Sequence, residues 1–390
     1  MRIAYCIHSL HNSGGMERVL TLKANALAAL PGYEIHIIAA ALHGRKPCFP
    51  VDPAVRVHDL DLNEHLHPRH YARHLEALLS EIRPDITISL AGTELKALPK
   101  MQDGSVKMAE FHFSHDKFIL KYGRTPYARW RTRRLEKAVS RLDRFVVLTR
   151  EDQADWQRTL PGFPVEQIYN PLTFRSPEKA ALQNKRCIAV GRLEYQKNFT
   201  DLIRAWKIVA SKHPDWTLDI FGEGSERGRL EKEIAKASLE GIVVLRGRSS
   251  QIRQEMLESS CLVMSSRFEG FPMVLLEAAA CGLPMVSYAC PMGPSEIIQN
   301  GDNGYLAPAG DVQALAEGIL AVIEHPDRAQ LGAASARTAE AFTPEIIIPQ
   351  WDQLFQSIVQ NGIYREAAGQ RPRGCGGEGP DTAHPTFPRH

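Results

Sequence analysis

The sequence predicts an α/β fold with two doubly wound domains that face each other across a cleft. Short apolar runs alternate with amphipathic helical runs, the alternation starts again after residue 185, and a polar stretch separates the two series. Strands separated by helices are typical of βαβ units with a largely parallel sheet. A length of 390 residues also fits two domains better than one.

The first series of elements fills residues 1–172. A strand is predicted over 3–7, followed by a Gly14-Gly15 loop and a helix whose apolar residues recur at helical spacing until Pro31-Gly32. Further strands are predicted over 35–40, 86–90, 108–113 and 145–148. This domain is expected to lie on the acceptor side of the cleft.

The second series fills residues 173–345, after a linker around 169–171 and 176–185. Its strands are predicted over 187–190, 218–221, 243–245, 262–264 and 285–288. The segment 346–364 is expected to form a helix that returns to the first domain. Residues 365–390 are rich in glycine and proline and are expected to be disordered. Doubly wound sheets bind ligands beyond the carboxyl ends of their strands, so the cleft is the expected substrate site.

Composition excludes several classes of protein. The net charge of +2 does not suit a general polyanion binder, and no nucleic-acid partner is expected. Seven cysteines without a Cys-x-x-Cys pair indicate reduced thiols in a cytoplasmic protein rather than a disulfide framework. No run of about 18 apolar residues occurs, so no membrane-spanning helix is expected.

The strongest local signal is a pair of glutamates eight residues apart, Glu269 and Glu277, at the start of a predicted helix. A short loop joins this helix to the strand at 262–264, and Pro272 suits the first helical turn. Free amides at a helix start favour an anion such as a diphosphate, and a carboxylate beside them accepts hydrogen bonds from sugar hydroxyls. Two surface glutamates on a buried helix would have the same spacing.

A second signal follows the strand at 187–190, where Gly191 precedes Arg192 and Lys197. The glycine lets the chain turn, so that both cations extend from a loop into the cleft. Arginine can bind a phosphate through two N–H groups, and lysine adds a mobile charge. Loop cations without a ligand are also common.

These motifs together resemble a known family. Glu269 to Glu277 matches the E-x7-E motif of the retaining glycosyltransferases of family 4, which have the GT-B fold, and Gly191-Arg192 with Lys197 matches their phosphate-binding loop. The other matching segments, in chain order, are Gly14-Gly15-Met16-Glu17-Arg18, Asn170-Pro171, Phe221-Gly222-Glu223-Gly224 and Gly301-Asp302-Asn303-Gly304-Tyr305-Leu306. The resemblance runs from residue 1 to about residue 360.

The resemblance implies roles for the matched side chains. Arg192 and Lys197 would neutralise the donor diphosphate and act in catalysis. Glu277 would accept hydrogen bonds from the ribose hydroxyls, and Glu269 would hold the transferred sugar. Asn198 stands where a glycine is frequent in the family, and little consequence is expected because both cations are retained.

The resemblance also implies roles for backbone groups. The amides of Gly270 and Phe271, before Pro272, would join Glu269 in holding the sugar. Gly14 and Gly15 would let the main chain of the opposite domain approach the phosphates.

The implied reaction is retaining transfer of a hexosyl group from a nucleotide sugar, expected to be a UDP-sugar. The expected acceptor is a glycan, or a glycan linked to a lipid diphosphate, in surface polysaccharide or lipopolysaccharide biosynthesis. Loss of the nucleoside diphosphate needs charge stabilisation more than a nucleophile. No Asp-x-Asp follows a predicted strand, so we expect catalysis without a metal ion and without a cofactor.

Other functions remain open on the residues alone. Gly222, Gly224 and Gly228 approach a dinucleotide-binding fingerprint, but the third glycine is one residue late. A nucleotide contact of Glu223 in a glycosyltransferase explains this loop equally well. A nucleotide-sugar epimerase or hydrolase and a catalytically silent binding subunit are the alternatives, although the complete set of cations and glutamates favours an active transferase.

Two groups of histidines deserve separate interpretation. His115 follows a predicted strand where the family often has a histidine that contacts the donor, so it is the predicted catalytic residue, with His112 in reserve and a structural histidine as the alternative. A metal site could use His70 and His74 on one helical face. With His65 and His67 they form a cluster that no carboxylate or cysteine completes, so a solvated surface is the favoured interpretation.

The segment 117–144 contains ten lysines and arginines against two acidic residues, with aromatic residues among them. Such a segment suits an anionic membrane surface or a lipid-diphosphate acceptor. A solvated helix face is the competing interpretation. The location expected from this is cytoplasmic, at the inner face of the cytoplasmic membrane where the segment docks.

Overall fold

The computed structural model describes residues 1–62, 68–90 and 92–367, and these residues form two α/β domains on separate parallel sheets. The N-terminal sheet has the order β3-β2-β1-β4-β5-β6-β7. Its strands are β1 (Arg2–Ile7), β2 (Glu34–Ala39), β3 (Arg56–Asp59), β4 (Ile86–Ser89), β5 (Val106–Glu110), β6 (Arg144–Val147) and β7 (Val165–Gln167). The helices of this domain are α1 (Gly15–Ala28), α2 (Pro68–Ile82), α3 (Lys117–Tyr122), α4 (Pro126–Val139) and α5 (Arg150–Thr159).

The C-terminal sheet has the order β10-β9-β8-β11-β12-β13. Its strands are β8 (Arg186–Val190), β9 (Thr217–Phe221), β10 (Val243–Gly247), β11 (Cys261–Met264), β12 (Met285–Tyr288) and β13 (Gly304–Ala307). Its helices are α6 (Phe199–Lys212), α7 (Arg227–Ala237), α8 (Ile252–Leu257), α9 (Met273–Ala280), α10 (Pro294–Ile297), α11 (Val312–Ile323) and α12 (Arg328–Glu340). The central strands are buried on both faces because helices cover both sides of a parallel sheet.

The last helix, α13 (Pro344–Ala367), returns to the N-terminal domain. Ile347, Trp351 and Phe355 lie in the same buried cluster as residues of α1 and β1. This is the return expected for 346–364. Helix α13 continues through Ala367, past the expected boundary at 365, and the rest of the segment expected to be disordered, residues 368–390, lies outside the described part of the chain.

The predicted two-domain architecture is confirmed, and the differences are local. The sequence analysis missed β3, whose side chains are mostly exposed, the three-residue β7, and β13 within the Gly301–Leu306 motif. These strands lie at or beside the sheet edges, where little apolar burial marks them. The strand predicted over 108–113 ends at Glu110, and the chain leaves the sheet before His112.

The loops that follow strands of the two sheets meet between the domains. The backbone amide of Arg150 donates to Glu296 Oε1 at 2.8 Å, and the amide of Met292 donates to Glu151 Oε2 at 3.1 Å. The carboxyl ends of both sheets therefore border one cleft. None of the helices in the described ranges has the length and apolarity needed to cross a bilayer.

Candidate functional site

Lys197 and Glu269, predicted from separate motifs, lie in contact. Lys197 Nζ is 2.7 Å from Glu269 Oε1, and the glutamate is only 7% exposed. Lys197 comes from the loop between β8 and α6, and Glu269 from the loop between β11 and α9. Adjacent parallel strands bring these two loops together at one sheet edge. The pair places a cation and a carboxylate together at the start of α9.

The left-handed backbone at Asn198 explains how this loop keeps its shape without the usual glycine. Asn198 has φ of 50° and ψ of 43°, a conformation that asparagine tolerates better than most residues. Its side-chain oxygen accepts from Arg267 at 2.7 Å, and its amide donates to Asp201 at 2.7 Å. The substitution therefore adds two hydrogen bonds to the loop that carries Lys197.

Arg192 and Glu223 lie at more exposed positions of the same edge. Within the described ranges the side chain of Arg192 makes neither a hydrogen bond nor an ion pair, so its guanidinium is available to a ligand. Its backbone carbonyl accepts from the amide of Glu194 at 2.8 Å. Glu223 pairs with Arg248 at 2.9 Å, and both side chains are exposed. Neither side chain contacts the Lys197–Glu269 pair directly.

The backbone at the start of α9 offers donors to a ligand. The amides of Gly270 and Phe271 make no hydrogen bond with any part of the chain that the structure describes. Phe271 itself is buried, with ring centroids 5.4 Å from Tyr169 and 5.8 Å from Phe342. Pro272 was predicted to lie in the first turn of α9. It lies instead immediately before the helix, where its ψ angle of 84° is not helical. The Phe271 side chain therefore anchors the loop, whereas its amide has no partner in the described residues.

Gly270 packs closely against the backbone of the opposite domain. A Cβ atom at this position would lie 2.1 Å from the carbonyl oxygen of His112, so only glycine fits against the end of β5. The backbone of His112 thus lies against the loop before α9, while its ring nitrogen Nε2 is 3.2 Å from Glu110 Oε1. This places a histidine of the N-terminal domain next to the Glu269 loop.

Glu277 lies inside α9 and makes an ion pair with the opposite domain. Its Oε1 atom accepts from Arg18 Nη1 at 2.8 Å and from Thr173 Oγ1 at 2.8 Å. Burial raises the pKa of this carboxyl group, whereas Arg18 and Thr173 oppose the rise. Arg18 lies in the Gly14–Arg18 segment that resembles the family, but no role was predicted for it from the sequence. Its position one turn into the helix after the glycine loop was the signal that could have indicated one.

Gly14 and Gly15 begin α1 on the N-terminal side of the cleft. Gly14 caps the helix, and its carbonyl accepts from the amide of Arg18 at 3.2 Å. A Cβ atom on Gly15 would meet no atom within 4 Å, so space is open beside this backbone. The loop therefore lies one helical turn from the Arg18–Glu277 pair.

His115 does not contact the Lys197–Glu269 pair, and both of its ring nitrogens have partners in its own domain. Nδ1 lies 2.8 Å from Asp116 and Nε2 lies 3.0 Å from Glu136. The ring also packs edge-on against Trp156, with centroids 4.8 Å apart. The geometry favours a structural role for His115. His112 is therefore the better candidate for contact with a ligand.

A buried chain of charges stands behind His112. His112 Nε2 is 3.2 Å from Glu110 Oε1, and the other oxygen of Glu110 pairs with Lys23 Nζ. Lys23 and Glu110 are each 1% exposed, and Lys23 lies 3.9 Å from the centre of the Trp351 ring. Burial would raise the pKa of Glu110, but Lys23 and His112 hold it at about 2. Burial lowers the pKa of Lys23, although Glu110 opposes this.

The metal interpretation of the histidines receives no support in the described ranges, where no three His, Cys, Asp or Glu side chains converge as a cation site. His65 and His67 lie outside the described residues. His74 Nδ1 contacts the carbonyl of His70 at 3.0 Å along the exposed face of α2. The sequence analysis also overlooked Asp59-Leu60-Asp61, because it missed β3, which ends at Asp59.

The Asp59-Leu60-Asp61 segment is an Asp-x-Asp sequence at a strand end, which corrects the premise that none exists. Asp59 Oδ1 accepts from the amides of Leu42 at 3.0 Å and Asp61 at 2.9 Å. Asp61 pairs with His43 at 2.9 Å. These carboxylates already stabilise the loops after β2 and β3.

Two other surfaces border the domains. A cavity of about 520 Å³ opens at the ends of β9 and β10, next to the Glu223–Arg248 pair. It is lined by Arg186, Asp219, Phe221, Arg246, Arg248, Ser249, Ser250, Gln251 and Glu255.

The helices α3 and α4 carry three exposed aromatic side chains, Tyr122, Tyr127 and Trp130, which lie close together. Arg134 lies over the Trp130 ring at 4.6 Å.

Comparisons with known proteins agree with this architecture. An uncharacterized glycosyltransferase of Haemophilus influenzae is 29% identical over 356 residues, covering 90% of this chain and 98% of the relative. The amylovoran biosynthesis glycosyltransferase AmsD of Erwinia amylovora is 27% identical over 90% of this chain and 99% of its own length. The crystal structure of Anabaena Alr3699/HepE with UDP and glucose superposes with a TM-score of 0.71 at 20% identity, over 92% of this chain and 100% of that one.

Two family profiles match successive parts of the sequence. The profile described as Glycosyltransferase Family 4 matches residues 13–173, which form most of the N-terminal domain. The profile described as Glycosyl transferases group 1 matches residues 173–338, from the linker to α12. The matches meet at residue 173 and together run through both sheets. The chain therefore belongs to the family 4 glycosyltransferases and is a glycosyltransferase with the GT-B fold.

Proposed function

We propose that this glycosyltransferase is a retaining, metal-independent enzyme that moves a sugar from a UDP-sugar to a glycan or lipid-linked glycan acceptor. The process we propose is surface polysaccharide or lipopolysaccharide biosynthesis. The observation that carries the proposal is the contact of Lys197 with Glu269 beside two unpaired amides, facing His112 across the cleft.

In the proposed reaction, Arg192 and Lys197 neutralise the diphosphate as the sugar leaves. Preorganised charges of this kind stabilise the developing negative charge without reorganisation at the moment of reaction. Glu269 and the amides of Gly270 and Phe271 hold the transferred sugar. His112 contacts the same sugar from the opposite domain.

The nucleotide extends from this point along the C-terminal sheet edge. Glu277 accepts hydrogen bonds from the ribose, and the backbone of Gly14 and Gly15 approaches the phosphates from the opposite side. Glu223 lies next to the 520 Å³ cavity, which we propose receives the base. The relatives favour the nucleotide and the process named here, because HepE was solved with UDP and glucose and AmsD is named for amylovoran biosynthesis.

Donor turnover with and without acceptor tests the proposal. Thermal-shift screening of UDP-, GDP- and ADP-sugars identifies the donor, and the best binder is then incubated with a lipid-extract acceptor fraction and EDTA. We expect transfer that persists in EDTA and releases UDP. Interconversion of sugars without UDP release would indicate an epimerase, hydrolysis alone a hydrolase, and tight binding without turnover a silent subunit. Loss of transfer in EDTA would refute metal independence.

The acceptor side has its own observation. The exposed Tyr122, Tyr127 and Trp130 lie among the arginines of α4, and Lys117 is partly buried over the Phe113 ring at 3.0 Å. Burial, with Arg131 and Lys121 nearby, lowers the pKa of Lys117 to about 7. Aromatic and basic side chains together suit the interface of an anionic membrane. We propose that α3 and α4 dock there, at the cytoplasmic face, and present a lipid-linked acceptor.

Vesicle sedimentation tests the docking proposal. The wild type should sediment with anionic vesicles at low salt and not with neutral ones, because each basic residue near the surface contributes about 1 kcal/mol. The variant with Arg129, Arg131, Arg133 and Arg134 changed to Gln should stay in solution. A wild type that ignores anionic vesicles at low salt would point to a soluble acceptor instead.

A further inference from the structure

We propose that Arg18 is a positioning residue of the donor site, which holds Glu277 by one carboxylate oxygen so that the other receives the ribose of the nucleotide. This inference rests on the ribose contact given to Glu277 in the proposed function. It adds a charged side chain of the N-terminal domain to the ribose part of the site, where Glu277 belongs to the C-terminal domain.

The two oxygens of Glu277 are used unequally. Oε1 accepts both from Arg18 at 2.8 Å and from Thr173 at 2.8 Å. Oε2 accepts no hydrogen bond from the residues that the structure describes, and it remains accessible to solvent. One oxygen is therefore fixed by the protein, and the other is open to a hydroxyl group.

The charge of Glu277 depends on the same contact. The residue is only 9% exposed, and such burial disfavours the charged form of a carboxyl group. Arg18 supplies the opposing positive charge and Thr173 a neutral donor. A carboxylate accepts from both ribose hydroxyls, whereas a protonated carboxyl group has lost part of its acceptor capacity. Arg18 thus maintains the form that ribose requires.

Arg18 is itself held in place. It lies in the first turn of α1, and its guanidinium carbon is 5.9 Å from the Phe49 ring centre and 5.6 Å from that of Phe174. Phe174 follows Thr173 in the segment that joins the two domains. Four segments that are distant in sequence therefore meet around the Arg18 guanidinium. A lysine at this position would keep the charge but lose the planar stacking.

Binding measurements separate this role from a simple clamp between the domains. Calorimetry on the full chain compares the Kd for UDP with that for 2′-deoxy-UDP in the wild type, Arg18→Ala, Arg18→Lys, Glu277→Gln and the double variant Arg18→Ala/Glu277→Gln. The control is Arg175→Ala, because Arg175 lies two residues from Thr173 and pairs with Glu345 instead. Thermal unfolding checks that each variant is folded.

We expect Arg18→Ala to raise the Kd for UDP about tenfold or more, because a charged hydrogen bond is lost. The preference for UDP over 2′-deoxy-UDP should also become smaller. Arg18→Lys should keep part of that preference, and Arg175→Ala should keep all of it. The double variant should bind UDP no more weakly than Glu277→Gln alone, because Arg18 acts through that carboxylate.

The remaining outcomes overturn the inference in distinguishable ways. If Glu277→Gln binds UDP like the wild type, the ribose contact of the proposed function fails and this inference fails with it. If Glu277→Gln is weakened while Arg18→Ala is not, only the inference about Arg18 is wrong. If Arg18→Ala raises the Kd values for both nucleotides by the same factor, the preference for UDP is kept. Arg18 would then act only by holding the two domains together.

Discussion

The two sides of the cleft hold their charges differently. On the C-terminal side, Arg192 is exposed and Lys197 keeps 17% of its side chain accessible while it pairs with Glu269. On the N-terminal side, Lys23 and Glu110 are each 1% exposed and lie beneath His112. One side therefore offers charge to a ligand, and the other side uses charge inside the protein.

This difference separates two consequences of mutation. An exposed loop cation such as Arg192 can be removed with little effect on folding, because solvent takes its place. A buried pair is different, because removing one partner leaves an uncompensated charge away from water. Changes on the C-terminal side should therefore appear in turnover, and changes on the N-terminal side first in stability.

The largest effect is expected for Lys23→Met. It leaves Glu110 buried without its counter-ion, which should lower the free energy of unfolding by about 3–5 kcal/mol. Urea unfolding measures this. The matched control is Lys23→Met/Glu110→Leu, which removes both charges and should recover most of the loss. A single variant as stable as the wild type would contradict the buried pair.

The same pair predicts a pH dependence. The pKa of Glu110 is lowered to about 2 in the folded protein, from an ordinary value of 4.5. A lowered carboxyl pKa contributes stability above pH 4.5, and this contribution is lost as the pH falls from 4.5 towards 2. The wild type should therefore lose stability over that range more steeply than Lys23→Met/Glu110→Leu. Parallel curves in urea unfolding would show that Glu110 does not titrate as described.

The next effect concerns the loop cations. Lys197→Ala should lower kcat/KM, because a charged hydrogen bond to the leaving diphosphate is lost. The expected loss of transition-state stabilisation is about 1.5–3 kcal/mol. Arg192→Ala should act in the same direction, with unchanged circular dichroism in both variants. Arg204→Ala, an exposed arginine of α6, is the control. Wild-type turnover in both loop variants would refute the site.

The two glutamates should separate binding from chemistry. Glu277→Gln should raise the Kd for UDP, whereas Glu269→Gln should chiefly lower kcat with sugar donors, because only Glu269 is expected to contact the reacting sugar. Titration with UDP and single-turnover transfer measure the two effects. Equal loss of UDP affinity in both variants would show that the division of roles is wrong.

The smallest effect should distinguish the two histidines. His112→Ala is expected to lower kcat about tenfold or more, because the His112 backbone lies against Gly270 in the Glu269 loop. Some loss of Tm should accompany it, because Glu110 loses one of its two partners. His115→Ala is expected to lower Tm, because it loses contacts with Asp116, Glu136 and Trp156. The reverse pattern would restore His115 as the catalytic residue predicted from the sequence.

Local sequence patterns were sufficient wherever a function depends on residues close together in the chain. The alternation of strands and helices predicted two parallel sheets, and the E-x7-E and Gly191–Lys197 segments indicated two loops that each follow a strand. That the two strands are neighbours came only from the structure. Asn198 is a similar case, because a left-handed residue and its neighbours are determined locally. Edge strands such as β3 were missed because exposed, polar strands lack the apolar pattern on which the prediction depended.

By itself, the sequence determined the fold class, the order of the domains and the motifs that surround the donor site, since each depends on hydrophobic periodicity or on contiguous residues. Only the tertiary structure decided which side chains meet across the cleft. Arg18 and Glu277 are 259 residues apart, and no local pattern couples them. Our preference for His112 over His115 in the proposed reaction likewise rests on where β5 ends and on the close packing of Gly270. Contacts of this kind arise from the docking of two domains, a property of the whole chain and not of any one segment.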